Sequence, residues 1–431
     1  MAAPASRRRV RGLIGLLLGG LVLLEGVVLL GCQSDPTPPV RTGAEVLAAH
    51  DFDELADARV GLIVNQTARV DTAHLIDRVA RSPAVELGAL FGPEHGLRGT
   101  AGAGETVADG RDDRTGTPVY SLYGDSRRPT AAEMEGLDAL VFDVQDVGAR
   151  FYTYITTMGR AMQAAAEAGL RFVVLDRPNP LGGTYVSGFP MEDAHQSFVG
   201  RYPIPIAHGL TVGELARMIK GERMLPGLDS LDLTVVPLDG WTRDRRWPAT
   251  GRAWVPPSPN LPTWRAALVY PGMGLFEGVR VNEGRGTDHP FLQIGLPWSR
   301  AAAAAVVDTL QARALPGIEV DTTTVTPTAR AGAPSPRFEG RTLHGFRLRV
   351  TDADAVRPVE LGIHALHATM QRARVEGDTA FVSRPEHLTR LAGTDRLVDA
   401  LRAGTRPEAL ISSWADAVTT FRERRAEYLL Y

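Results

Sequence analysis

Arg59-Val-Gly-Leu-Ile-Val64 is apolar at every position after the first and runs directly into the polar triplet Asn65-Gln66-Thr67. A short run without polar alternation fits a strand covered on both faces, as in a parallel sheet packed between helices. The same design recurs three times. Val85–Phe91 (VELGALF) leads into Gly92-Pro93-Glu94-His95-Gly96, and Asp138–Phe142 (DALVF) leads into Asp143-Val-Gln145-Asp146-Val-Gly148-Ala-Arg150. Arg171–Leu175 (RFVVL) leads into Asp176-Arg177-Pro178-Asn179-Pro180. Between the last two runs, Tyr154–Ala168 carries Met158, Met162 and Ala165 along one helical face. Strands alternating with helices predict an α/β fold built on a parallel sheet.

Outward from these runs, Thr211-Val-Gly-Glu214 reads as a capping box that opens a helix over Glu214–Ile219. The stretch Pro237–Pro262 is rich in Trp, Pro and Arg and has no period, which marks a long functional loop or a crossing between domains. Beyond it the pattern predicts a strand at Ala266–Tyr270 and a helix at Arg300–Ala314 capped by Ser299. A strand at Phe346–Val350 and a helix near Glu360–Arg374 follow, and Ser383-Arg-Pro-Glu386 fits a second capping box. Residues 44–262 are thus expected to form one α/β subdomain and 263–431 a second.

In an open parallel sheet, ligands bind where the strands end, because the loops diverge there and helix N-termini point outward. Four polar clusters at four strand ends therefore predict a site on one rim. The chain of 431 residues has a net charge of −3, so no global basic field exists to hold nucleic acid. The first strand is followed by no Gly-x-Gly-x-x-Gly, and there is no Walker loop, so a nucleotide cofactor is not expected. The sole lysine, Lys220, stands in no Ser-x-x-Lys motif. His364 and His367 lie at i, i+3 on a predicted helix, a spacing more often found on an ordinary helix surface than at a metal, and no metal or other cofactor is predicted.

Phe91-Gly-Pro-Glu-His-Gly-Leu-Arg-Gly99, Asp143-Val-Gln-Asp-Val-Gly-Ala-Arg-Phe-Tyr152 and Asp176-Arg-Pro-Asn-Pro-Leu-Gly-Gly183 resemble motifs of the exo-β-N-acetylmuramidase family. So do His208-Gly-Leu-Thr-Val-Gly-Glu214, Pro257-Ser-Pro-Asn-Leu-Pro262, Asn282-Glu-Gly-Arg-Gly-Thr287 and the terminal Tyr428-Leu-Leu-Tyr431. The likeness runs from about Gly61 to the last residue. Val279-Arg-Val-Asn282 departs from the Thr-Asn-Val-Ser that the family often carries there. The resemblance implies release of N-acetylmuramic acid from non-reducing ends of peptidoglycan fragments. It also implies a Rossmann-like subdomain facing a second α/β subdomain, with the active-site cleft between them.

The family's proposed catalytic glutamate maps onto Glu94. Glycoside cleavage needs a carboxylic acid to protonate the leaving oxygen, and the alternative for Glu94 is a helix cap or a partner for Arg98. His95 either tunes Glu94 or binds a sugar hydroxyl. The second carboxylate is open among Asp143, Asp146, Asp176 and Glu283, and an acetamido sugar also permits attack by its own carbonyl. Asp143 is placed with the catalytic group, although an Asp at a strand end often caps the next helix. Muramic acid carries a lactyl carboxylate, which a planar guanidinium matches well; Arg98, Arg150, Arg177 and Arg285 are the candidates. Gln145, Asn179 and Asn260 complete the expected substrate contacts. Trp241, Trp247, Trp254 and Trp264 are either sugar platforms or core.

The N-terminus reads as an export signal. Arg7, Arg8, Arg9 and Arg11 precede the apolar run Leu13–Leu30, which ends at Leu29-Leu-Gly-Cys32. Gly-Cys after aliphatic residues resembles a lipoprotein processing site. An uncleaved anchor is the alternative, but Glu25 within the run costs on the order of 2–3 kcal/mol in a spanning helix. Cys32 is the only cysteine, so the rest of the chain has no disulfide and no thiolate chemistry. Residues 1–32 are read as the signal and 33–43 as a tether, giving an exported protein held to a membrane by lipid at Cys32. Two other functions stay open: a lipoprotein that binds peptidoglycan fragments without cleaving them, and a hydrolase of another bond of muramic acid.

Overall fold

All four apolar runs of the N-terminal half pair with one another. The structure, a computed structural model, describes residues 38–94, 96–97, 110–123 and 127–431. His95, Arg98, Cys32 and the apolar run before it lie outside the described residues. In chain order the strands of the first half are β1 (Arg59–Val64), β2 (Arg69–Val70), β3 (Ala73–His74), β4 (Glu86–Gly92), β5 (Gly110–Arg111), β6 (Pro118–Ser121), β7 (Ala139–Asp143), β8 (Arg171–Leu175) and β9 (Leu233–Val236). Seven of them form one sheet in the order β5-β6-β4-β1-β7-β8-β9, while β2 and β3 form a small ribbon. Every pairing in the large sheet is parallel except that of β5 with β6. Taken by chain order, the six parallel strands stand as 3-2-1-4-5-6, the Rossmann arrangement, with the reversal between β1 and β7.

β1 is central, with Leu62 opposite Leu90 of β4 and Val141 of β7. Its residues from Val60 on are buried, as an apolar run without alternation requires. Gly61 has no room for a Cβ, which would stand 2.8 Å from side-chain carbons of both Leu137 and Phe91. Helices α1 (Gly43–Ala49), α2 (Leu75–Val79), α3 (Tyr154–Ala168) and α4 (Val212–Gly221) accompany the sheet. The predicted box at Thr211 forms: its hydroxyl accepts from the Glu214 amide, and the Glu214 side chain accepts from the Thr211 amide.

The second half is built from α5 (Trp264–Met273), β10 (Gln293–Leu296), α6 (Arg300–Ala312), β11 (Ile318–Val325), β12 (Leu343–Val350) and α7 (Pro358–Val375). The short helices α8 (Pro385–Ala392), α9 (Arg396–Ala403), α10 (Pro407–Ser412) and α11 (Ala415–Arg425) close it. Its three strands pair antiparallel in the order β10-β12-β11. Helices α5 and α7 cross where Gly272 meets Gly362; a Cβ on Gly362 would fall 2.4 Å from the Gly272 Cα.

Three expectations are corrected here. Ala266–Tyr270 lies in a helix, not a strand, since Thr263 caps the Ala266 amide and starts α5. A short run buried all round has no period to tell the two apart. The second capping box does not form: Arg384 holds the cap position of α8 without a side-chain bond, and Pro385 sets the first turn. Residues 38–43, read as the end of a tether, are packed. Val40 is buried, its amide bonds Thr250, and Arg41 bridges Asp239.

The principal core is continuous through both halves, running from Phe142, Phe172 and Phe189 to Phe276, Phe346 and Phe421. The tail reaches back to the parallel sheet, where the Tyr431 hydroxyl meets Asp176 at 2.8 Å.

Candidate active site

The reversal between β1 and β7 leaves a crevice at their carboxyl ends, and both loops are fastened there. The Asn65 side chain accepts from the Thr67 amide at 3.0 Å and from its hydroxyl at 2.5 Å. The Thr67 hydroxyl accepts from the Gln145 amide at 3.0 Å, stapling the β1 loop to the β7 loop. Gln145 in turn donates to the carbonyls of Asp146 and Pro178, which adds the β8 loop to the same rim.

Glu94 stands half-buried two residues past the end of β4. Thr153, at the start of α3, donates to its Oε2 at 3.4 Å. The Tyr154 hydroxyl lies 3.3 Å from the Glu94 carbonyl and 2.8 Å from that of Pro257, fixing the turn against the 256–258 segment. Tyr123 also lies against the carboxylate; burial first, and then Glu94, push its phenol above the ordinary tyrosine range. Behind these the Tyr152 ring meets Tyr154 edge-on at 4.9 Å and Tyr270 at 5.9 Å. Burial, reinforced by negative neighbours that include Glu94, holds the phenols of Tyr152, Tyr154 and Tyr270 well above their usual range. They are protonated at any working pH and serve as fixed hydrogen-bonding groups.

Several buried polar atoms at this rim have no hydrogen-bond partner among the described residues: Asn65 Nδ2, Gln145 Oε1, Asp146 Oδ1, the Tyr152 hydroxyl and His208 Nε2. Buried polar groups are nearly always satisfied, so such a group of exceptions marks a place prepared for a polar ligand or water. Asp146 is half engaged. Its Oδ2 accepts from the Gly148 amide at 2.7 Å and stands 3.6 Å from His208 Nε2, while Oδ1 is unmatched. Tyr152 and Tyr270 each lie within electrostatic range of both Glu94 and Asp146, so the two acids share one neighbourhood.

Other expected residues are engaged in building the rim. Asp143 is fully buried and takes Arg177 on both oxygens, at 2.5 and 3.0 Å. Asp176 accepts from the Thr211 hydroxyl, the Gly213 amide and Tyr431, locking α4 and the tail to β8. Arg150 is fully buried and donates to the carbonyls of Phe189, Ile204 and Leu391; burial lowers its pKa to about 9. Asn179 bonds Leu210 and Leu181, and Asn260 bonds Gly332. None of these side chains is brought to Glu94.

From the second half, Arg285 bridges Glu277 at 2.8 Å and Glu283 at 3.2 Å over the Phe291 ring. Burial pushes the Glu283 carboxyl up. Burial works the same way on Glu277, but Arg285 and His387 outweigh it and bring its pKa down to about 2. The tryptophans act mostly as core: Trp247 meets Trp254 edge-on at 4.8 Å, Trp254 donates to the Leu261 carbonyl, and Trp241 is buried beside Tyr431. His364 and His367 both face Arg313. Among the described residues no group of three or more His, Cys, Asp or Glu is placed to hold a metal.

A cavity of about 420 Å³ opens on the same rim beside Thr67, Gln145 and Arg177, with Trp247 and Arg252 on its far side. A larger one of about 690 Å³, between residues 194–197 and helices α8 and α9, shares no residue with the Glu94 cluster. The larger cavity holds His195, Asp395 and a single unmatched buried atom, the Ser197 hydroxyl, whereas several of the unmatched atoms gather near Glu94 and Asp146. Thr153, Tyr154, Tyr123 and Tyr270 were not singled out from the sequence. The signal available was the run Phe151-Tyr-Thr-Tyr154, directly after a polar strand end.

The comparisons agree with this fold. Residues 60–265 match the family model of the exo-β-N-acetylmuramidase NamZ N-terminal domain, and 268–431 match that of its C-terminal domain. The chain is 40% identical over 401 residues to the peptidoglycan β-N-acetylmuramidase NamZ of Bacillus subtilis strain 168, covering 93% of each. Two crystal structures of DUF1343 family proteins from Bacteroides fragilis NCTC 9343 superpose with TM-scores of 0.83 and 0.74, at 34% and 35% identity. In both cases the match covers 91% of this chain and 99% of the other. With both family models matched in order over almost all of the described residues, the chain belongs to the NamZ exo-β-N-acetylmuramidase family.

Proposed function

We propose that the protein is a glycosidase that releases N-acetylmuramic acid from non-reducing ends of peptidoglycan fragments, with Glu94 as its acid. The observation that carries this reading is the position of Glu94 at the reversal of the parallel sheet. A threonine and tyrosines hold it there, among buried polar atoms that have no hydrogen-bond partner among the described residues. Family membership supplies the substrate class.

Glu94 delivers a proton to the departing oxygen, and the phenols around it keep bulk water from competing. Asp146 is the acid best placed to assist, since one oxygen is held by the Gly148 amide and the other is unmatched. It either activates water or orients the acetamido group of the substrate, two routes that both need a second carboxylate near the anomeric carbon. Asp143 is a poorer candidate because Arg177 occupies both its oxygens.

Incubating the purified protein with a muramic-acid-terminated disaccharide should release free N-acetylmuramic acid, read by chromatography and mass. Binding of the disaccharide with no product would favour the non-catalytic reading.

The location is part of the proposal. Gly31-Cys32 after the aliphatic run supports acylation of Cys32 and tethering of the exported protein to a membrane.

A further inference from the structure

His208 is fully buried on the segment that passes behind the Asp146 loop. Ala207 pairs with Ala149 in an antiparallel bridge, and the Arg150 amide donates to the Ile206 carbonyl at 2.8 Å. That register sets His208 opposite Gly148, two residues past Asp146. A second bridge, from Ala207 to Ser187, holds the segment on its other side. Gly209 follows with φ at +60°, a left-handed turn that brings the next amide back onto the imidazole. The Leu210 amide there donates to His208 Nδ1 at 3.2 Å. Arg425 pins the turn by donating to the His208 and Gly209 carbonyls at 3.0 and 2.6 Å, and Asn179 donates to the Leu210 carbonyl at 2.9 Å.

A backbone amide can only donate, so Nδ1 offers its lone pair and the ring proton sits on Nε2. Placing a proton on Nδ1 would break the Leu210 bond inside a turn that Arg425 and Asn179 hold closed. His208 is therefore a neutral donor with its direction fixed. Nε2 faces Asp146 Oδ2 at 3.6 Å and has no hydrogen-bond partner among the described residues. A closure of about 0.6 Å would bring the pair to hydrogen-bond distance, and catalytic hydrogen bonds are often long until substrate binds. Oδ2 already accepts from the Gly148 amide at 2.7 Å. Gly148 also has a positive φ, +74°, and a Cβ there would strike the Asn179 side chain, so this donor is as firmly set as the first. Two N–H groups aimed at one oxygen leave Oδ1, buried and unmatched, as the atom that can meet substrate or water.

We infer that His208 is a positioning residue for the reaction: as the Nε2–H tautomer it holds the Asp146 carboxylate so that Oδ1 alone is presented to the sugar. The inference rests on the muramidase reading above, with Asp146 as the assisting acid. The same geometry bars His208 from acting as a general base, because its one lone pair is committed to Leu210. Its effect on rate passes through Asp146, and a reacting group misplaced by about 1 Å can cost on the order of a hundredfold.

The test compares the wild-type protein with His208→Gln and His208→Phe, each alone and combined with Asp146→Asn, in hydrolysis of a muramic-acid-terminated disaccharide. His208→Phe should lower kcat by about tenfold to a hundredfold with KM nearly unchanged. His208→Gln, whose amide can donate from the place of Nε2, should recover part of that loss. On the Asp146→Asn background neither change should lower the residual turnover further, since the group being held is gone. Nitrogen-15 spectra of histidine-labelled wild type supply a readout that needs neither catalysis nor a folded Phe variant. With the His208 signals assigned by their absence in His208→Gln, Nδ1 should be pyridine-like and Nε2 pyrrole-like, and the Nε2 proton should shift in Asp146→Asn. A proton on Nδ1, an Nε2 proton indifferent to Asp146→Asn, or equal losses of kcat with and without the Asp146 carboxylate overturn the assignment. Wild-type protein that cleaves no glycan would sink the muramidase reading, while an Nε2 proton that still answers to Asp146→Asn would leave the held carboxylate standing.

Discussion

Arg177 closes on Asp143 through two near-parallel contacts, Nε to Oδ1 at 2.5 Å and Nη2 to Oδ2 at 3.0 Å, with both side chains almost wholly out of solvent. The pair joins the ends of two adjacent parallel strands, β7 and β8, directly beneath the crevice. Removing one member would leave the other charge buried without a partner. Asp143→Asn should therefore destabilise the fold by ~3–5 kcal/mol, read as a lower midpoint in urea. An unchanged midpoint with a raised KM would instead show that Arg177 faces substrate.

Glu94→Gln keeps the shape of the side chain and its bond from Thr153 but cannot deliver a proton. Turnover on a natural disaccharide should fall by about 10²–10⁴-fold with binding retained. The loss should shrink on an aryl glycoside, whose leaving group needs little protonation. Near-normal turnover would move the acid to Asp146 or Glu283.

Glu277 gives a pH signature. Burial raises its carboxyl, but Arg285 and His387 prevail and its pKa in the folded chain is about 2, against an ordinary value of 4.5. Between those values the unfolded chain holds the extra proton, so the contribution of Glu277 to stability is full above about 4.5 and fades as pH falls toward 2. Glu277→Gln should lower stability at pH 7 by ~1–3 kcal/mol through loss of charged hydrogen bonds. The gap between wild type and variant should narrow as pH drops from 5 to 3. Denaturant titrations at several pH values measure it, and a gap independent of pH would show that the pairing with Arg285 contributes little.

Cys32→Ser should abolish lipid modification. Detergent partitioning of cells expressing each form distinguishes them: the wild type in the detergent phase, the variant in the aqueous phase. A wild type that partitions into the aqueous phase would remove the anchor.

The parallel sheet was legible because each of its central strands is buried on both faces, which leaves an apolar run without alternation, as in Leu62-Ile-Val64 and Phe172-Val-Val-Leu175. The same reasoning fails at Trp264–Met273, where a helix buried all round leaves a run of the same kind. The polar strand ends that carry Glu94 and Asp146 were readable as a candidate rim, although the sequence placed Asp143, which the structure gives to Arg177, with the catalytic group. Which arginines are available was not readable. Arg150 reaches Leu391, 241 positions away, and local sequence holds no trace of such a partner. The tyrosines round Glu94 were hidden for another reason: an aromatic residue, whether at the start of α3 like Tyr154 or late in α5 like Tyr270, looks the same in sequence when it fills a core and when it lines a crevice.

The tail contact has a consequence for how the protein is made. Glu214, which caps α4, is met by the amide of Leu430, 216 residues further along the chain, and Asp176 waits 255 residues for Tyr431. On a ribosome these intervals last about 10–50 s. Throughout them the nascent Rossmann half carries two carboxylates that lack donors they have in the finished fold. The first half is therefore exposed to chaperones and proteases until the last turn of the chain has emerged, and its docking is what seals the sheet.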